Sequence, residues 1–262
     1  MNLLMLRDFA RDQRTWGDFP ARIRAHAPRM QLHYLDLPGV GTEYLRPSPS
    51  SVTAIRIELA QRFHGLVERG KLPEGPWSIL AVSFGGMVAL DWIFAEPELF
   101  NRAVLVNSSS ADVASPLERF DLRFLPGALM TFLRNRPEDF ERFFFRASSN
   151  RFARKKSERD PQVQAFYEDL VRLRRERPVR RRTLLNQFLA AARFSLPAGR
   201  PRTKVVLVSG EGDRVVSPKC SLRLAERLGA PRLVHPWAGH DIPTDDPEWL
   251  AREVSDWMER PA

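Results

Sequence analysis

The chain has 262 residues, of which 43% are hydrophobic and 28% charged, the balance of a soluble globular protein with room for a large core. Its one cysteine, Cys220, excludes an intrachain disulfide framework and fits a reducing compartment. No apolar run approaches the roughly 20 residues of a membrane span, and the short run 3–6 meets Arg7 and Asp8 too soon for a signal peptide, so the expectation is a cytoplasmic protein without membrane contact. Net charge is +9, and residues 111–200 alone hold 20 Lys and Arg against 11 Asp and Glu. That segment carries the whole excess and reads as a unit of its own.

The predicted elements alternate between strand and helix. Residues 2–6 are a short apolar strand, followed by a loop, 7–16, and an amphipathic helix over 16–26. A second strand, 31–35, ends at Asp36-Leu37-Pro38-Gly39, where Asp36 reads as a structural turn acid. Ser50 or Ser51 caps a helix that runs to Glu68 and closes at Gly70, with His64 as a surface or packing residue.

Next comes Ile79-Leu80-Ala81-Val82-Ser83-Phe84-Gly85-Gly86. An apolar strand stops at a serine, and small residues and a helical pattern follow at once. That is the layout of a strand, a sharp turn and a helix with a nucleophile on the turn. The helix start offers free N–H groups and partial positive charge to a developing oxyanion. Ala81 stands where the Gly-x-Ser-x-Gly pattern has its first glycine.

A strand over 102–107 ends at Asn107, and Ser108, Ser109 and Ser110 mark the exit into residues 111–200. That segment lacks strand signals. It reads as helices over 117–124, 127–133, 138–145, 162–175 and 180–193, separated by Pro126, Pro137, Pro161 and Pro178. Phe140, Phe143, Phe144 and Phe145 form an aromatic cluster. Arg172, Arg174, Arg175, Arg177, Arg180, Arg181 and Arg182 form a basic run, read first as a solvated helix surface and second as a means of steering an anionic substrate or an acidic carrier protein. Nucleic acid is not expected, because no recognition motif accompanies the run.

A buried strand, 203–209, leads into Gly210-Glu211-Gly212-Asp213. Ser217 and Pro218 open a helix through Leu228. A last strand, 232–235, precedes Trp237-Ala238-Gly239-His240, and a helix over 247–258 follows. The histidines are scattered, so neither a metal nor a cofactor is expected.

Ser83, Asp213 and His240 fall in the chain order Ser, acid, His. With the turn at Ser83 and the segment 36–39, this resembles the α/β-hydrolase superfamily over nearly the whole chain, and within it small serine carboxylesterases with a helical cap. The resemblance implies a mostly parallel sheet of about six strands lacking the first two of the family. It implies a core from 1–110 and 201–262, and a cap from 111–200. Ser83, Asp213 and His240 would be the catalytic triad, with Glu211 the fallback acid. The N–H groups of Phe9 and Phe84 would form the oxyanion hole. Where many members have His-Gly before the first donor, this chain has Arg7-Asp8.

The activity so implied is hydrolysis of carboxylic or thio esters of small to medium acyl groups. Two alternatives stand beside it. One is an ester hydrolase for carrier- or CoA-linked substrates, steered by the basic segment. The other is a non-catalytic binding protein on the same fold, which the Arg7-Asp8 and Ala81 departures motivate.

Overall fold

A computed structural model describes residues 1–151 and 160–260. Six parallel strands form one sheet in the order β2-β1-β3-β4-β5-β6. They are β1 (Asn2–Leu6), β2 (Gln31–Tyr34), β3 (Trp77–Val82), β4 (Phe100–Val106), β5 (Lys204–Gly210) and β6 (Arg232–His235). The central strands read as continuous apolar runs because helices cover both faces of the sheet. Residues 79–82 of β3 are wholly buried.

Alternate residues of the strands feed different cores. Leu4, Leu6, Ile79 and Ala81 face α2 (Val52–Glu68) and α3 (Phe84–Ala95). Leu3, Met5, Leu80 and Val82 face α1 (Phe19–His26) and α11 (Pro247–Glu259). Ser51 caps α2, its hydroxyl accepting from the Ala54 N–H, and α9 (Pro218–Leu228) starts at the Ser217 cap.

Between β4 and β5 the described chain is helical: α4 (Pro116–Arg119), α5 (Leu125–Arg134), α6 (Pro137–Ser148), α7 (Pro161–Glu176) and α8 (Arg181–Arg193). Phe140, Leu184, Ala190 and Phe194 of this insertion belong to the same apolar cluster as β1 and β3. Residues 152–159, within the basic stretch of the insertion, lie outside the described residues.

Several elements differ in detail from the sequence expectation. The helix expected over 16–26 begins only at Phe19, and Gln13–Trp16 forms a separate 3-10 turn capped by Asp12. The helix expected over 117–124 is two short turns, α4 and a 3-10 turn at Leu122–Phe124, broken where Phe120 is extended. A short helix, α10 (Ile242–Asp245), follows His240, and periodicity cannot reveal a single turn. No helix among the described residues is long and apolar enough to cross a membrane.

Candidate active site

The carboxyl ends of β1, β3, β4 and β5 meet at one rim of the sheet, and the three residues singled out in the sequence come together there. Ser83 follows β3 with φ 51° and ψ −114°, a conformation that a residue with a Cβ adopts only under constraint. The surroundings impose it. A Cβ on Gly85 would lie 2.4 Å from the Arg7 carbonyl oxygen, and one on Gly86 would lie 2.8 Å from Ser108 Oγ. Only glycines let α3 enter this close to the ends of β1 and β4. The Ser108 hydroxyl donates to the Ser83 carbonyl at 3.0 Å.

The Ser83 hydroxyl lies 2.7 Å from His240 Nε2. His240 Nδ1 lies 2.7 Å from Asp213 Oδ2, and the carboxylate there fixes Nδ1 as the protonated nitrogen and Nε2 as the acceptor. The other oxygen, Asp213 Oδ1, accepts the Val215 and Val216 N–H groups at 2.8 and 3.0 Å, which anchors the acid on its turn. Glu211, by contrast, is exposed and pairs with Arg232 at 3.5 Å. His240 is buried. Burial alone would lower the pKa of its ring, but Asp213, with help from Asp8 and Asp241, overrides this and raises it.

Asn107 joins the two loops that carry the acid and the histidine. Its side-chain oxygen accepts the Gly210 N–H, and its amide donates to the carbonyls of Gly239 and His240. The amide therefore has a structural task at the end of β4.

The Arg7-Asp8 pair is embedded rather than loose. Arg7 is buried, makes two 3.1 Å bonds to Asp241, bonds Thr15 and stacks over Trp16. Asp241 overcomes the burial penalty on this guanidinium and raises its pKa. Burial raises the Asp8 carboxyl, which sits 3.6 Å from Arg7 Nε. Burial also opposes charge on Asp241, but Arg7 reverses this and lowers its pKa. An ion cluster thus takes the place of the His-Gly turn and ties the loop after β1 to the residue beside His240.

The helical insertion then shapes the next residues of that loop. Ala10 is left-handed at φ 54°. Its N–H donates to Gln187 of α8 at 2.9 Å, and its carbonyl accepts from Arg174 of α7 at 3.0 Å. Glu141 of α6, 1% exposed, pairs with both Arg174 and Arg11. Phe144 stacks on Phe9 at 5.9 Å, and Phe9 meets Phe84 edge-on at 6.4 Å. The N–H groups of Phe9 and Phe84 donate to no acceptor among the described residues, which leaves both available to a ligand.

No local pattern marks these roles of Arg11, Glu141, Arg174 and Gln187, because their partners are 33 to 177 residues away. Arg174 belongs to the run expected to be a solvated helix surface, yet it is buried. Asp36 holds the Gln13 and Thr42 N–H groups, as a turn acid should. Cys220 is buried, and burial pushes its thiol up to about 12. Among the described residues, no three His, Cys, Asp or Glu side chains are grouped to hold a metal ion.

The comparisons with known proteins agree with this architecture. The family model described as "Alpha/beta hydrolase family" matches residues 4–253. Among solved structures, a hydrolase from Pseudomonas aeruginosa PA01 is similar at TM-score 0.73 and 18% identity, covering 99% of this chain and 90% of that one. The 2-hydroxy-6-oxo-6-phenylhexa-2,4-dienoate hydrolase from Rhodococcus sp. strain RHA1 is similar at TM-score 0.77 and 18% identity, with coverage of 99% and 90%. A thermophilic esterase from Thermogutta terrifontis is similar at TM-score 0.72 and 18% identity, with coverage of 98% and 89%. No curated protein matches the sequence significantly.

Proposed function

Since the chain belongs to the alpha/beta hydrolase family, and so is an enzyme of hydrolase type, we propose that it cleaves carboxylic or thio esters of small to medium acyl groups through a Ser83–His240–Asp213 triad and an acyl-enzyme. The observation that carries this reading is the unbroken hydrogen-bond relay, 2.7 Å at each step, from the Ser83 hydroxyl through His240 to Asp213.

A serine hydroxyl at its free pKa is a poor nucleophile. As Ser83 Oγ attacks the ester carbonyl, its proton passes to His240 Nε2, and the carbonyl oxygen takes up the negative charge. Asp213 holds the Nδ1 proton and stabilises the imidazolium so formed. The N–H groups of Phe9 and Phe84, together with the start of α3, would receive the oxyanion. One such donor is worth about 3 kcal/mol of barrier. When the tetrahedral intermediate collapses, His240 returns the proton to the leaving alcohol or thiol. Water then attacks the acyl-enzyme by the same route in reverse and frees the acid and Ser83.

The reading is tested by labelling with a fluorophosphonate and by turnover of p-nitrophenyl esters of graded chain length. The wild type labels and turns over, and Ser83→Ala does neither. A wild type that resists the label, or a Ser83→Ala protein with undiminished turnover, overturns it.

A further inference from the structure

The helix α5 has apolar residues on its outside. Its inner side packs on α6, where a Cβ on Gly127 would lie 2.7 Å from Phe143, and Thr131 is buried. Its outer side should then be polar, as on an ordinary surface helix. Instead Leu125, Leu129 and Leu133 stand there at i, i+4 and i+8. Leu122 precedes them, and Leu185 and Phe188 of α8 continue the surface. These six side chains are each between 46% and 58% exposed. Contiguous exposed apolar patches of this kind mark interaction surfaces.

The two helices meet at one end. The Arg181 guanidinium donates to the Leu133 carbonyl at 2.7 Å, so the start of α8 meets the end of α5. Arg181, Leu185 and Phe188 then follow along one side of α8. Around the apolar residues lie Arg123, Arg134, Arg136, Arg181 and Arg182, all exposed. Asp121 pairs with Arg123, and Asp139 lies 3.8 Å from Arg134. Arg136, Arg181 and Arg182 form no ion pair among the described residues.

We propose that this α5–α8 face is a peripheral docking surface for an anionic lipid bilayer. An apolar helix side that enters the acyl boundary, flanked by arginines at headgroup level, is the arrangement that such a surface rewards. The same arginines weigh against self-association through this face, because two copies would bring like charges together. An acidic carrier protein would also pair with the arginines, and the vesicle test below separates the two. The expectation of no membrane contact came from the lack of a spanning segment, and a peripheral face needs none.

Ring contacts connect the face to the site. Phe124, next to Leu125, meets Phe143 at 6.2 Å, Phe143 meets Phe144 at 6.0 Å, and Phe144 stacks on Phe9.

Docking itself is tested without turnover, on full-length wild-type and Ser83→Ala proteins co-sedimented with large vesicles. Both proteins pellet with vesicles of phosphatidylcholine plus phosphatidylglycerol and far less with phosphatidylcholine alone, and salt weakens the binding. Leu129→Asp with Leu133→Asp lowers the partition at least about tenfold, and each of Arg136→Gln and Arg182→Gln lowers it about fivefold, with unchanged melting temperatures. Wild type that stays in the supernatant with both vesicle types overturns the proposal. So does undiminished pelleting of the leucine variant. Binding to an acidic acyl carrier protein, or self-association, that the leucine variant abolishes while vesicles recruit nothing, overturns it in favour of that partner.

Discussion

Glu141→Gln probes whether the helical insertion holds the loop beside Ser83. Glu141 is 1% exposed and is the shared counter-charge of Arg11 and Arg174, whose side chains are 5% and 8% exposed. Burial already holds the Arg174 guanidinium below its usual pKa, Arg11 adds to this, and Glu141 opposes it. The glutamine keeps the shape and removes the charge, leaving two buried cations side by side. Removing one partner from a buried pair costs about 3–5 kcal/mol. At this chain length about 2 °C of melting temperature goes with each kcal/mol, so the midpoint should fall by about 6–10 °C.

A second effect separates a positioning role from bulk stability. Arg174 also holds the Ala10 carbonyl, one residue from the Phe9 N–H. Fluorophosphonate labelling at a temperature where the variant is folded should slow about tenfold, a part of what a whole oxyanion donor contributes. The triple variant Arg11→Met, Glu141→Leu, Arg174→Met should regain most of the stability, since apolar replacement of a buried ion cluster is often neutral or better. It should not regain the labelling rate, because Arg174→Met removes the donor to the Ala10 carbonyl. A Glu141→Gln protein that melts within about 2 °C of wild type and labels at the wild-type rate would refute this reasoning.

Three further outcomes are expected. The acid limb of the kcat/KM profile should have its midpoint above the usual histidine value, because His240 must be neutral to act and its pKa is raised despite burial. In Asp213→Asn that limb should move down and the rate should fall by about 10⁴-fold. The same raised pKa adds stability that is fully present below the unfolded-state value and is lost as pH rises through the folded-state value, which urea melts across that interval would detect. Gly86→Ala should destabilise the protein through its clash with Ser108, and Ser108→Gly should restore part of the loss in a thermal melt, since both close atoms belong to that side chain. Asn107→Asp should cost at least about 2 kcal/mol in urea unfolding, because its carboxylate would face the Gly239 and His240 carbonyls that the amide now serves. An unchanged midpoint would remove Asn107 from the account of how the two loops are joined.

The sheet, the turn at Ser83 and the order of the three polar residues along the chain are legible in short stretches of sequence. Those features are written locally: an apolar run such as 79–82 can only be buried, and Gly85 and Gly86 allow a helix to start at once after it. Chain order also brought Asp213 and His240 to ends of parallel strands, where loops converge. The other features come from long-range packing. The burial of Arg174, the role of Glu141, the ties from Gln187 to Ala10 and the work of Arg7 and Asp241 all depend on partners far away in the chain. The same holds for the outward leucines of α5. Their 3.6-residue spacing reads as a core-facing stripe, and only the packing of Gly127 on Phe143 turns that stripe toward solvent. Periodicity records which residues share a side of a helix; which side finds a neighbour is settled by contacts between distant segments, and these leave no local trace.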